Sequence, residues 1–300
     1  MTIQIQKSFE SNQKTGSLYL VGTPIGNLED MTYRAVRTLS EADIIAAEDT
    51  RQTRKLLTHF EISPSKLFSY HEHNKAASGP ELIRYIIEGK NLALVSDAGL
   101  PAISDPGSDL VRLAVEQGIP VIPIPGANAA LSALIVSGLP TERFQFLGFL
   151  PRESKERNSL LELLQDEQST LLFYESPHRV IKTLTAMQQA WGNRQVVLAR
   201  ELTKRHEEMV RGTIRECQSW LEEHPPLGEY CIVVSGEEQS KVKERQDAWW
   251  QALSVEEHVA YYETEEPCSR KEAMKKAAGD RGISKRDIYK HLLEDGKEEE

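Results

Sequence analysis

A two-domain α/β protein with a small helical appendix is the fold class that this 300-residue sequence predicts. Three observations carry the prediction. Short apolar runs alternate with helical spacings through the first half, the pattern of βα units on a mostly parallel sheet. Gly/Pro turns follow three of those runs directly. An almost wholly polar stretch at 237–246 then separates a basic, helix-patterned C-terminus from the rest.

The elements read in order. After a flexible lead-in over 1–16, SLYLVG (Ser17–Gly22) is an apolar strand that stops at GTPIGN. Met31, Ala35, Val36 and Leu39 recur at helical spacing, and DIIAAED (Asp43–Asp49) is a second buried strand. NLALVSD is another, feeding the loop SDAGLPAISDPG. GSDLVRLAVEQG is a helix with a Gly stop, PVIPIPG a strand and ANAALSALIVSG the next helix. FQFLGFLP leaves this first domain, whose boundary is placed near Thr141 (17–140, then 141–236). SKERNSLLELLQ is helical, TLLFYES a strand, and Pro177 begins a helix with Val180, Ile181, Leu184 and Met187 on one face. QVVLARELTK is a strand running into a charged turn, and EYCIVVSG is the last strand. A helical module over 247–296 holds two short helices of helix-turn-helix type. Ser284 to Asp287 fits a capping box, so its second helix starts there. An acidic tail, 297–300, ends the chain.

Composition is that of an ordinary globular protein, with 39% hydrophobic and 27% charged residues. No run of 18 apolar residues exists, and the N-terminus lacks the apolar core of a signal peptide. Cys217, Cys231 and Cys268 are too widely spaced for a zinc pattern or a disulfide framework, so a cytoplasmic protein with free thiols is expected. The net charge of −10 argues weakly against nucleic acid, but Arg270 to Lys290 carries eight Lys or Arg against three Asp or Glu.

Several chemistries are excluded by what is missing. There is no GxGxxG after the first strand, no GxxxxGK[ST] and no GxSxG. His71-Glu72-His73 has no further ligand near it in sequence, so a solvated loop and no metal are expected there. What remains is the set of turns at Gly22–Asn27, Asp97–Gly107 and Pro125–Ala127. In an open α/β sheet, ligands sit at the carboxyl ends of the strands. Gly lets a ligand approach the backbone, and Pro fixes the turn beforehand. With no Lys or Arg in these loops, phosphate is a poor ligand, whereas a positive or hydroxyl-rich one suits them.

The segments SDAGLPAISDPG, VGTPIGNLEDMTYRAVRTLSEADIIAAEDTR, FYESPHR and ARELTK closely resemble the ribosomal RNA small subunit methyltransferase I family, within the tetrapyrrole-methylase superfamily. The resemblance runs from about Ser17 to Gly236, and the C-terminal module is similar to the family's appended helical domain. It implies a tetrapyrrole-methylase-like fold with S-adenosylmethionine in the cleft between two domains. It implies 2′-O-methylation of a cytidine ribose in the decoding region of 16S ribosomal RNA, and a homodimer. On that reading the backbone of Ser96, Asp97, Ala98 and Gly99 meets the cofactor, as do Ile103 and Ser104. Asp97 accepts from ribose hydroxyls or the ammonium, and Asp105 either does likewise or caps the following helix. Pro24 walls the cleft from the first strand, and Pro125, Ala127 and Asn128 close it from below. Phe173, Tyr174 and Glu175, with Leu227, Gly228 and Glu229, cover the adenine or the methionine tail.

Methyl transfer from a sulfonium is an in-line displacement that requires no metal. The ribose hydroxyl must lose its proton during attack, so a positioned base helps. Asp49, Arg51, Glu175, His178, Arg179, Arg200, Glu201 and Lys204 lie at strand ends and are the candidates. Arg200 and Lys204 would hold phosphate or steady the alkoxide while Glu175 or Glu201 takes the proton; equally, each could be an ion pair or a cap. The residues alone do not choose the base. For RNA contact, Arg51, Arg152, Lys285, Arg286 and Lys290 are expected, within basic stretches Arg152–Arg157 and Arg194–Arg215 and the C-terminal module. Methylation of a small corrin or porphyrin precursor would use the same cleft, and a non-enzymatic nucleic-acid-binding role is the other alternative. The basic module weighs against the first, and the dense polar set around the cleft against the second.

Overall fold

The computed structural model describes residues 5–7, 15–240, 242, 249–265 and 268–295. The expected acidic tail, much of the N-terminal lead-in and half of the expected linker lie outside the described residues. Two compact units form, Met1–Gln165 with Ser169–Gly236, and Asp166–Gln168 with Glu237–Glu300.

The larger unit holds two sheets. The first contains β1 (Leu18–Val21), β2 (Ile44–Ala47), β3 (Leu67–Ser69), β4 (Leu92–Val95) and β5 (Val121–Ile124), all parallel in the order β3-β2-β4-β1-β5. β2 and β4 are apolar and buried throughout, as strands covered on both faces must be. Helices α1 (Tyr33–Glu41), α2 (Thr50–His59), α3 (Lys75–Ile87) and α4 (Ser108–Glu116) connect them. Because β4, β1 and β5 are neighbours, the three Gly/Pro turns that follow them gather at one sheet edge. There the chain packs backbone on backbone. A Cβ on Gly22 would lie 2.8 Å from the Gly126 Cα, and one on Gly126 would lie 2.9 Å from the Gly22 Cα.

The second sheet runs β6 (Phe144–Phe149), β7 (Thr170–Glu175), β10 (Tyr230–Val234), β8 (Gln195–Arg200), β9 (Glu208–Thr213). Only β6 and β7 pair in parallel. Helices α6 (Ser154–Leu163), α7 (Val180–Trp191) and α8 (Ile214–Glu223) pack on one face through Leu161, Leu184, Met187 and Leu221 against Phe173, Leu198 and Ile232. The other face takes α5 (Ala129–Ser137), which directly follows β5 of the first sheet. Ala130, Ala133 and Leu134 meet Leu172, Val197, Cys231 and Val233. The helix just before Thr141 therefore packs on the sheet after it, and the two sheets share one compact unit.

Two details differ from the sequence reading. Residues 177–179 form a turn, and α7 begins at Val180 rather than at Pro177. The Ser176 carbonyl accepts from the N–H groups of both Arg179 and Val180, which closes that turn. Two helices were expected in the C-terminal module; among its described residues from 249 on, the smaller unit has a 3-10 turn at Trp249–Ala252 and the α-helices α9 (Val255–Glu265), α10 (Arg270–Arg281) and α11 (Lys285–Asp295). α11 does start after the capping box, in which Ser284 Oγ donates to Asp287 Oδ2 at 2.6 Å and accepts from the Asp287 N–H at 3.2 Å. No described helix is long and apolar enough to cross a membrane.

The glycine contact yields a test. Gly126→Ala forces two backbones apart and lowers unfolding free energy by about 1–3 kcal/mol. Urea unfolding should show an earlier midpoint with an unchanged m-value. An unchanged midpoint would mean that the loops part freely.

Candidate active site

A cavity of about 430 Å³ opens between the two sheets, within the range of small organic ligands. The near wall is made of the gathered loops: Ile25 after β1, Ala98, Gly99, Leu100, Ile103, Ser104 and Asp105 after β4, and Asn128 and Ala129 after β5. The far wall comes from the second sheet: Phe149, Tyr174 and Glu175 from β6 and β7, Ala199, Glu201, Leu202 and Lys204 around the end of β8, and Glu229, Tyr230 and Cys231 at β10.

The near wall is stitched by main chain. The Thr23 N–H donates to the Gly99 carbonyl at 2.9 Å, and the Gly99 N–H returns the bond at 3.1 Å. Gly99 sits at φ 80°, open to glycine at no steric cost, but Ala102 and Ser104 hold φ 68° and 62° in the same loop. Side-chain-bearing residues held there are the kind of local strain found at functional sites. Asn128 uses its Oδ1 to accept the Leu131 N–H at 2.9 Å and so caps α5.

Acidic groups converge behind this loop. Asp97 Oδ1 accepts the Asp49 N–H at 3.0 Å, while Asp49 caps α2 and pairs with the exposed Arg51 at 2.7 Å. Its bonds to the Arg51 side chain and N–H hold the Asp49 carboxyl down at about 2. Partial burial raises Asp97 and Glu48, and the neighbouring acid charges add to it. Asp105 is raised furthest, to about 6, by burial and by Glu48, with a hydrogen bond to Ser96 opposing.

On the far wall Lys204 Nζ donates to Glu201 Oε1 at 2.9 Å and to Glu229 Oε2 at 2.8 Å, and Glu201 also accepts the Glu229 N–H at 3.1 Å. Burial pushes Glu201 up, but Lys204 and the Glu229 N–H outweigh it and hold the carboxylate below its usual range. Burial pushes Lys204 down, and its two carboxylates outweigh that. Glu201 at φ 50° and Thr203 at φ 64° are again strained. Gly228 makes room for Glu201, since a Cβ there would lie 2.5 Å from the Glu201 Cγ.

Comparison with known proteins decides the family. The family described as Tetrapyrrole (Corrin/Porphyrin) Methylases matches residues 17–218. The ribosomal RNA small subunit methyltransferase I of Halalkalibacterium halodurans is 56% identical, over 96% of this chain and 98% of its own. The chain belongs to the ribosomal RNA small subunit methyltransferase I family of tetrapyrrole methylases. Among solved structures, the methyltransferase CobJ superposes with a TM-score of 0.57 at 17% identity, over 74% of this chain and 95% of that one. Thermus thermophilus uroporphyrin-III C-methyltransferase, complexed with S-adenyl homocysteine, does so at 0.50 and 20%, over 73% and 97%.

In this family member the structure gathers Ala98, Gly99, Ile103, Ser104, Asn128, Tyr174, Glu175, Glu201 and Lys204 at the cavity. Others named from sequence lie elsewhere. Phe173 faces away, fully buried with Trp191 in the core under α7. Pro24, Pro125 and Ala127 do not line the cavity, Ser96 is buried, Asp97 is exposed, and Leu227 lies out in solvent. Asp49 is a cap, and Arg200 pairs with Glu208 at 3.5 Å. Glu175 touches the lining, but its side chain is 1% exposed and fully engaged. It accepts from the Ser176 N–H at 2.8 Å and Thr183 Oγ1 at 2.6 Å, and faces Arg179 Nε at 3.3 Å. Arg157 and Arg194, within the expected basic stretches, are buried and so unavailable at the surface. Arg152 is exposed.

Asp105 resolves an alternative. α4 is capped by Gly107 with no side-chain bond, so Asp105 lines the cavity and does not cap. Phe149, Leu202 and Cys231 were missed from sequence. Phe149 lies three residues after Phe146, so a regular strand would turn the two rings to opposite faces; the register shift between Phe146 and Gly148 brings both edge-on to Tyr174, and the sequence gives no signal of it. Burial pushes the Cys231 thiol up to about 12, which makes it an inert wall. His71 and His73 stand with rings 6.0 Å apart, and no cluster of three metal-ligating residues occurs among the described residues.

The raised Asp105 fixes a pH dependence. Its folded pKa exceeds the unfolded one, so the contribution to stability is complete below about pH 4 and is lost as pH rises through about 6. Asp105→Asn should therefore gain on the parent by roughly 1–2 kcal/mol between pH 4 and pH 7, less than the full shift because solvent screens a half-buried carboxyl. Urea unfolding at several pH values measures the difference. A difference that stays flat with pH would contradict the assignment.

Proposed function

We propose that this chain transfers the methyl group of S-adenosylmethionine to the 2′-hydroxyl of a cytidine ribose in the decoding region of 16S ribosomal RNA. The observation that carries the reading is the cavity, with an acidic, cation-free loop wall facing an aromatic and charged wall. The family, and the name of the 56% identical relative, support the acceptor class. The cytidine and its 2′-oxygen follow from the motif resemblance.

The residues fit such a donor. When bound, S-adenosylmethionine supplies an electrophilic methyl on a sulfonium that leaves as a neutral thioether. Asp105 offers a carboxyl whose negative charge a cation would stabilise, and the exposed Asp97 offers acceptors for hydroxyl groups. Gly99 brings backbone to the lining, and Ile25, Ile103 and Leu202 give apolar faces for a flat ring. With no Lys or Arg in the three loops, a phosphate-bearing ligand is disfavoured on this wall.

On the acceptor side Glu201 takes the role left open between two carboxylates. Glu175 is enclosed and saturated, whereas Glu201 is ionised at the cavity. Glu201 accepts the ribose proton, and the Lys204 ammonium steadies the oxygen as charge develops. Lys204 remains protonated and so does not serve as the base. Arg51 and Arg152 contact RNA phosphate, as do Lys285, Arg286 and Lys290. A homodimer in the cytoplasm belongs to the same reading.

The deciding assay incubates the protein with tritiated S-adenosylmethionine and purified small ribosomal subunits. Label should be recovered as 2′-O-methylcytidine; label on an added tetrapyrrole, or none on RNA, overturns the proposal. Within that assay Glu201→Gln should lower kcat by about a hundredfold, with donor affinity within about twofold. Gly228→Ala should lower turnover as well, by displacing Glu201. Parent-like turnover in Glu201→Gln would leave the Glu201–Lys204 pair a structural bridge.

A further inference from the structure

We propose that the groove between α10 and α11 binds single-stranded RNA, with a base stacked on Tyr289 and the flanking phosphates on Arg270, Lys271, Lys285 and Arg286. The inference rests on the RNA reading above and goes beyond it by assigning a stacking residue, two further cations and a strand preference.

The small unit shows which of its cations are free for a partner. Arg281 is consumed internally: its Nε donates to the His258 Nδ1 at 3.1 Å, and its Nη2 donates to the carbonyls of Leu253 at 2.6 Å and Ser254 at 2.9 Å. The buried His258 then gives its Nε2 hydrogen to Asp280 at 3.1 Å. Lys276 lies over the Tyr262 ring at 5.3 Å. Arg270, Lys271, Lys285 and Arg286, by contrast, line one concavity of about 590 Å³ and form no ion pair among the described residues.

The rest of that concavity is not what a lone phosphate requires. Met274 and Leu292 give it an apolar floor, and Tyr289 stands in it 57% exposed. No carboxylate lines it. A flat π-face over an apolar floor, rimmed by four positive charges, fits an unstacked base between two phosphates. A duplex hides its base faces in the stack and would leave Tyr289 without a partner. The helices are held for this role by their caps, since Glu272 and Asp287 are bound to Ser269 and Ser284.

The test uses the full chain and a short fluorescein-labelled oligocytidylate, followed by fluorescence anisotropy across a salt series, beside an RNA duplex of equal length. Tyr289→Leu should weaken single-strand binding about 5- to 100-fold without changing the salt slope, and Tyr289→Phe should restore it. Replacing Arg270, Lys271, Lys285 and Arg286 together with Gln should flatten the slope by about 0.7 for each phosphate that is no longer neutralised. Parent-like affinity in Tyr289→Leu would overturn the proposal, as would duplex binding as tight as single-strand binding, which would indicate docking of α11 into a groove. Methyl transfer to small subunits is run in parallel. If the parent transfers no methyl, the functional reading fails while the anisotropy still decides the groove. If the parent transfers it and Tyr289→Leu matches its KM for RNA and its oligocytidylate affinity, only the groove assignment fails.

Discussion

The packing of α5 is the constraint on which the site depends. This helix leaves the first sheet through the capping Asn128 and buries Ala130, Ala133 and Leu134 on the second. Its sequence, AALSALIVS, carries no charge; the face bearing Ala130, Ala133 and Leu134 is buried on the second sheet, while Leu131, Ile135 and Val136 stand exposed on the other. The consequence is a fixed spacing between the loops ending β1, β4 and β5 and the ends of β7, β8 and β10. The cavity is the space that remains, and Asn128 and Ala129 line it. Packing and the site thus share residues, which ties ligand geometry to core stability.

The strands were legible because burial on both faces writes itself as an apolar run. LYLV, IIAA, LALV and YCIVV need no partner information to be recognised. β9 was not legible: EMVRGT is an edge strand with partly exposed residues and no run or strict alternation. α3 was masked by Gly79-Pro80 within it, and α2 by its mostly polar sequence, TRQTRKLLTH. The Gly/Pro loops signalled the site because Gly99 and Gly107 occupy backbone angles that few other residues adopt, and that requirement is local.

What distinguishes Glu175 from Glu201 is not local. Glu175 closes β7 with Arg179 four residues on, Glu201 follows β8 with Arg200 before it, and the sequence does not separate their roles. The difference comes from Thr183, a full turn into α7, which closes on Glu175. It also comes from Gly228, on a separate strand approach, which leaves space for Glu201. Asp105 is similar: its elevation comes first from burial in the folded cavity and then from Glu48, which follows a strand separate in sequence. Electrostatic roles are set by groups brought together only by the fold, so spacing alone does not assign them.

The most direct measurement is a crystal structure of the chain with S-adenosylhomocysteine. The account predicts the ligand between the two sheets, against Gly99, Asp105 and Asn128 on one side and Tyr174 and Leu202 on the other, with Glu201 and Lys204 left to face an acceptor. Ligand density outside this cavity, with the loops after β1, β4 and β5 untouched, would contradict it.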